Sequence, residues 1–277
     1  MQFNFSPNSY ISLKLLLFFL LIQTGFGSTK TPEVKTELVF SHTEVEKGTD
    51  LIIGVKFDMK KHWHIYWKNP GDSGLPPKLE WELPDGIVTG DIIYPSPEKI
   101  YFDDLANYSY SNSIILPVKF KIAKNYNGSI NAKLKLSWLT CKEICLAQDT
   151  VLNFSLKFGK SKKSANFNTL NQIIINSNIQ FDDFAKVKNI INSDNQLELQ
   201  FITEIINIQS IDFFPEEQGV FVHGNKQKFT QTYNNYILNL PLDSYAVERP
   251  THLKGLLIIK TKNKIYTLNI NKPIGNS

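Results

Sequence analysis

Ala132-Lys133-Leu134-Lys135-Leu136-Ser137-Trp138-Leu139 alternates small or apolar with polar side chains over its first seven residues. That is the period of a β-strand with one face turned to a core. Leu152, Phe154, Leu156 and Phe158 repeat the pattern against Asn153, Ser155 and Lys157, so Val151–Phe158 reads as a second strand. Similar runs lie upstream at Glu37–Ser41, Leu51–Phe57, Trp63–Trp67, Leu79–Glu82 and Ile114–Ile122. Turn chemistry separates them at Lys47-Gly48-Thr49, Asn69-Pro70-Gly71, Pro84-Asp85-Gly86 and Asn125-Tyr126-Asn127-Gly128. Short strands with little helical periodicity predict an all-β chain, with an immunoglobulin-like β-sandwich over residues 28–158. The polar, small-residue stretch 159–167 reads as a linker. Residues 168–277 read as a second, smaller β-domain. It opens with a short helix at Asn168–Asn176 and continues with strands at Gln196–Ile202, Ile208–Phe213, Gly219–His223, Phe229–Leu238 and Gly255–Asn269. A hairpin turn is expected at Thr261-Lys262-Asn263-Lys264. His223 and His252 are scattered there and mark no site.

Residues 1–27 carry the pattern of a secretory signal peptide. Lys14 precedes an apolar run from Leu15 to Ile22, and Gly25-Phe26-Gly27-Ser28 offers small residues for cleavage after Gly27. A run this short cannot span a hydrocarbon core that needs about 20 apolar residues. The mature chain is expected to be exported to the periplasm and soluble. Loss of Lys14 takes the formal charge from +4 to +3, too small and too evenly spread to argue for nucleic acid. The 19 Phe and 11 Tyr suffice to fill sizeable cores.

The chemistry-bearing feature is the pair Cys141 and Cys145, separated by Lys142-Glu143-Ile144. Along one extended strand they would lie roughly 13 Å apart, whereas a disulfide needs Cα atoms about 4.4–6.8 Å apart. If they bond, the chain bends between the strands at Ala132–Leu139 and Val151–Phe158, on a tight connection at one end of the sandwich. Closing so short a loop contributes only about 2 kcal/mol in the chain-entropy account, which makes a poor staple. Three roles stay open on these grounds: a redox-active dithiol, a structural disulfide, and soft ligands for copper or zinc beside His62 and His64. On a strand His62 and His64 would share a face, but four convergent ligands are not visible, so no metal and no cofactor is expected. Thioredoxin-like C-x-x-C spacing is absent, which argues against a general oxidase or isomerase. Aromatics alternating over Trp63–Trp67 read first as sandwich core.

Trp63-His64-Ile65-Tyr66-Trp67-Lys68-Asn69-Pro70-Gly71-Asp72-Ser73-Gly74-Leu75-Pro76-Pro77 resembles the WHxYWxNPGDSGLPP signature of the N-terminal region of DsbD-like and ScsB-like disulfide reductases. Ser137-Trp138-Leu139-Thr140-Cys141-Lys142-Glu143-Ile144-Cys145 resembles the W-L-x-C-x-x-x-C element closing the same domain. The resemblance covers roughly residues 35–158, with weaker likeness beyond. It implies an immunoglobulin-like periplasmic domain whose cysteines shuttle between dithiol and disulfide. Such a domain takes electrons from a membrane-embedded DsbD-type donor and passes them to thioredoxin-fold partners, as one component of a protein-disulfide reductase. It further implies that Cys145 attacks and Cys141 resolves. A cap over the cysteines is implied near Tyr101–Leu105, with Phe102, Asp103, Asp104 and Tyr110 facing substrate. The motif residues Trp63, Tyr66, Trp67, Asn69, Pro70, Gly71 and Asp72 are implied as structural support. The cysteine spacing sits nearer the ScsB-like branch. The sequence shows no transmembrane or thioredoxin-like part, so the electron donor is expected to be a separate protein. The alternative is a non-catalytic β-sandwich adaptor, or a copper-handling binding protein, with a structural disulfide.

Overall fold

The alternating stretch 132–139 lies inside a strand, Ile130–Cys141, whose even-numbered side chains are all buried. The computed structural model describes residues 32–102, 105–193, 195–224, 227–246 and 248–275. The expected signal peptide lies outside them. Strands follow in the order β1 (Val34–Phe40), β2 (His42–Val45), β3 (Asp50–Met59), β4 (His64–Gly71), β5 (Lys78–Glu82), β6 (Ile87–Ile92), β7 (Glu98–Phe102), β8 (Leu105–Ser111), β9 (Ser113–Ile122), β10 (Ile130–Cys141) and β11 (Cys145–Phe158). After β12 (Lys162–Lys163) and the helix α1 (Phe167–Ser177) come β13 (Ala185–Ser193), β14 (Gln196–Thr203), β15 (Ile208–Pro215), β16 (Lys228–Thr232), β17 (Asn235–Pro241), β18 (His252–Thr261) and β19 (Ile265–Pro273).

One sheet runs β1-β3-β9-β6. The other runs β12-β2-β11-β10-β4-β8-β7, with β5 also paired to β10. Phe57, Trp67, Tyr108, Leu116, Leu136 and Trp138 form one part of the core, and Leu51, Ile53, Phe120 and Ile130 another. This is the expected immunoglobulin-like β-sandwich, and Trp67 of the Trp63–Trp67 run is core. Burying side chains of this size is worth about 1.5–3 kcal/mol each.

Residues 159–167 carry β12, which lies antiparallel on β2. The helix then packs Leu170 and Ile174 against Val39 and Ile52, on the outer side of the first sheet. Gly54 makes room for it, since a Cβ there would come within 2.8 Å of Leu170 and 2.9 Å of Val39. The remaining strands form two sheets, β13-β14-β17-β16 and β15-β18-β19, around Leu197, Leu199, Phe201, Phe213, Leu257 and Ile259. The opposite face of β15 and β18 sends Phe214, Leu256 and Ile258 into the first sandwich's cluster with Trp67 and Tyr108. The unbroken apolar run Leu256-Leu257-Ile258-Ile259 therefore belongs to a sheet buried on both faces.

Three details depart from the strand pattern. Gly219–His223 is not a strand: Gly219 takes a left-handed φ of 69° and only Phe221 makes a bridge, to Leu242. Phe229–Leu238 splits into β16 and β17 at Tyr233, whose φ is 56°. The strand expected to begin at Trp63 begins at His64, because His62 sits at φ 71° in the preceding turn. His62 and His64 therefore do not share a strand face. Among the described residues no helix is long and apolar enough to cross a membrane.

Candidate functional site

β10 and β11 form a hairpin in continuous register from Ile130↔Leu156 to Cys141↔Cys145. The cysteines are its last facing pair. Opposed residues in an antiparallel ladder approach to about 4.5–5.5 Å, and the two Cα atoms lie 4.1 Å apart, joined by the disulfide. Lys142-Glu143-Ile144 closes the turn, with Lys142 N–H donating to Ile144 O at 3.1 Å. All three loop residues are exposed. Lys142 Nζ lies 3.5 Å from Glu143 Oε1, an exposed pair worth little. Burial is unequal across the bond: Cys141 is 3% exposed, while Cys145 is exposed.

Beyond Cys141 the ladder continues. Cys141 opposes His64 on β4, and His64 opposes Ser111 on β8. Direct cross-strand partners project to the same face, so Cys145, Cys141, His64 and Ser111 form one row across four strand segments. Thr140 Oγ1 donates to His64 O at 3.0 Å and ties the two backbones together. The neighbouring row, Thr140, Ile65 and Tyr110, faces the core. His64 is half-buried, its Nε2 has no hydrogen-bond partner, and burial alone holds its pKa below the ordinary value. Its ring meets Tyr66 edge-on at 5.3 Å. Gly74, at φ 105°, lies over Tyr66, where a Cβ would come within 2.3 Å of the ring.

The rest of the long motif runs away from the cysteines. Trp67 is fully buried in the core. Asn69, five residues from His64 and about 15 Å along the strand, is also fully buried. Its amide donates to Pro215 O at 2.9 Å and Glu217 O at 3.0 Å, and its side-chain oxygen accepts from Gly71 N–H at 2.9 Å. Pro70 is buried beside it. Asp72 Oδ2 accepts from Ala106 N–H at 2.7 Å. Lys68 meets Glu216 at 2.7 Å, and the hydroxyl of Tyr108 meets His223 Nδ1 at 2.9 Å. Asn69, Lys68 and Tyr108 thus join the first sandwich to the second region, a role that the motif's turn-like Asn-Pro-Gly did not announce. Trp63 is half-buried at the turn before β4.

Of the expected cap, the described residues Phe102 and Leu105 do not join the cysteine row. The ladder places Ser111 in the cysteine row, whereas Leu105 and its partner Phe102 lie at the other end of β8, about 20 Å along the strand. Phe102 is exposed, and the neighbouring Lys99 and Tyr101 feel Asp212 of the second region. Tyr110 is a core residue whose hydroxyl donates to Pro95 O at 2.6 Å. Asp103 and Asp104 lie outside the described residues. Among the described residues no three His, Cys, Asp or Glu side chains gather as metal ligands.

Residues 33–156 match the family model described as "Thiol:disulfide interchange protein DsbD, N-terminal". Among solved structures, the chain is similar to the N-terminal periplasmic domain of ScsB from Proteus mirabilis. The likeness has a TM-score of 0.65 at 17% identity, covers 89% of this chain and 96% of that one, and establishes the fold. A match to a sporulation control protein from Bacillus subtilis covers 87% of this chain and 91% of that one at 8% identity, with a TM-score of only 0.25. No curated protein matches. The matched segment is similar to a thiol:disulfide interchange domain, and it carries the pair Cys141 and Cys145, joined as a disulfide.

Proposed function

We propose that this chain is an exported thiol–disulfide exchange protein, acting in the periplasm as one component of a protein-disulfide reductase. Its Cys141/Cys145 pair relays electrons from a membrane-embedded DsbD-type donor to thioredoxin-fold partners. The leader-like residues 1–27 and the likeness to a periplasmic domain support the location. The observation that carries the proposal is the unequal burial of the cysteines on an exposed hairpin turn. It supports Cys145 as the sulfur that meets the partner and Cys141 as the resolving one.

In the reduced protein, Cys145 thiolate attacks one sulfur of a partner's disulfide. That bond breaks, its second sulfur leaves as thiolate, and Cys145 becomes a mixed disulfide. Cys141 thiolate then attacks the Cys145 sulfur, releasing the partner's remaining thiolate and closing the Cys141–Cys145 bond. The partner gains two electrons and this chain loses two, later restored by the donor.

Titration in glutathione buffers, read by thiol alkylation, tests the proposal. The bond is expected to reduce at a potential above the roughly −300 mV limit below which structural disulfides sit, and Cys141→Ser is expected to retain a partner as a stable mixed disulfide. A bond that withstands glutathione would instead make the pair a staple in a non-catalytic adaptor.

A further inference from the structure

We propose that His64 accepts the proton of Cys141 as this cysteine resolves the mixed disulfide, an assignment that rests on the exchange reading above. The geometry is the cross-strand row. His64 and Cys141 are direct partners in the β4–β10 ladder, which puts their Cβ atoms about 4.5–5.5 Å apart on one face. Cys141 is buried and far from free exchange of its proton with solvent, so its thiol needs a base within the protein to become the attacking thiolate. The imidazole is the group the fold supplies. Its Nε2 is buried without a hydrogen-bond partner, and a buried polar atom left open in this way is costly unless it serves a transient partner.

Among the described residues on the adjoining strands and turns, no other group competes for the role. Ser111, on its far side, donates its hydroxyl to Glu98 Oε2 at 2.8 Å. Lys142 and Glu143 on the hairpin pair with each other at the surface. Tyr66, on the same strand, is held in its neutral form by burial. His62 stands in the turn before β4. The imidazole is therefore governed by burial, which keeps it neutral and able to accept a proton at neutral pH.

The step balances. Cys141 S–H gives its proton to His64, the thiolate attacks the Cys145 sulfur, the Cys145–partner bond breaks, and the departing partner thiolate takes up the proton from the imidazolium or from water.

Stopped-flow mixing of the reduced full chain with a chromogenic aromatic disulfide separates the two events. A first coloured thiolate is released as Cys145 attacks, and a second as Cys141 resolves. In the unaltered protein the second phase is expected to reach a plateau above the titration of His64. In His64→Gln the first phase should stay within about two-fold. The second should slow by about 100-fold near neutral pH, the low end of what a positioned base contributes, and climb with pH without a plateau. A second-phase profile that superimposes on the unaltered protein's overturns the assignment. Loss of both phases in the unaltered protein would instead break the exchange reading. If His64→Gln does not fold, histidine titration by NMR in the unaltered chain decides. The His64 midpoint must rise on reduction of the disulfide, and an unmoved midpoint overturns the proposal.

Discussion

The two ends of β4 are built to opposite rules. At its start, His64 faces a half-covered sulfur pair, leaves a ring nitrogen unpartnered, and borders an exposed turn. Toward its finish, Asn69 is sealed from solvent with its amide and its oxygen both engaged. The contrast teaches that one continuous motif divides its labour along its length. The first residues are left polar and open, as chemistry requires, while the last are closed and satisfied, as docking requires.

If the division is real, altering the two ends should produce effects that do not cross over. Cys145→Ser is expected to abolish disulfide exchange with thioredoxin-fold substrates. It should remove only the small loop-closure contribution, about 2 kcal/mol, from stability. Substantial residual exchange would mean that the open end is not the site. Asn69→Ala should do the reverse. Losing its bonds to Pro215 and Glu217 is expected to cost roughly 2–4 kcal/mol, a fall in melting temperature of about 5–12 °C, with the glutathione equilibrium of Cys141/Cys145 unchanged. A shifted equilibrium would show that the two ends are coupled.

His223 sharpens the closed end. Burial, the largest influence on it, holds its pKa below 6.5, so the unfolded chain binds the proton more readily. Stability is therefore complete above about pH 6.5 and drains as pH falls from there toward the depressed folded value. Thermal melts of His223→Gln should lose less stability over that window than those of the unaltered chain, and parallel slopes would count against it. The smallest effect is expected from Phe102→Ala. With Phe102 at the far end of β8, the alkylation rate of reduced Cys145 should not change. An acceleration of two-fold or more would restore the cap and refute the register argument.

Much of this was legible because burial on one face leaves a mark. Lys133, Lys135 and Ser137 between Leu134, Leu136 and Trp138 announce β10 and its facing side, and the short Cys141–Cys145 spacing demands a turn once the two are bonded, as they are. Where both faces are buried, contrast disappears. β8 holds Ala106, Asn107, Tyr108, Ser109 and Tyr110, all buried, so it reads as no strand in particular. Its direction, which decides where Phe102 lies, was hidden with it. Asn69 misled for another reason. Asn before Pro-Gly is good turn chemistry, and nothing local distinguishes an amide that bends its own chain from one that grips a carbonyl 146 residues away. His64 was visible as a residue but not as a neighbour of Cys141, because strand register is a property of the assembled sheet.

The sheet β15-β18-β19 carries a last consequence, for cooperativity. Its central strand lends Leu257 and Ile259 to one core and Leu256 and Ile258 to the other, so neither core can open without uncovering the strand they share. Backbone amides of β18 should be among the slowest to exchange with deuterated solvent, and the two sandwiches should melt in a single transition rather than in sequence. The deepest anchor of the body would then lie in the region that carries no cysteine.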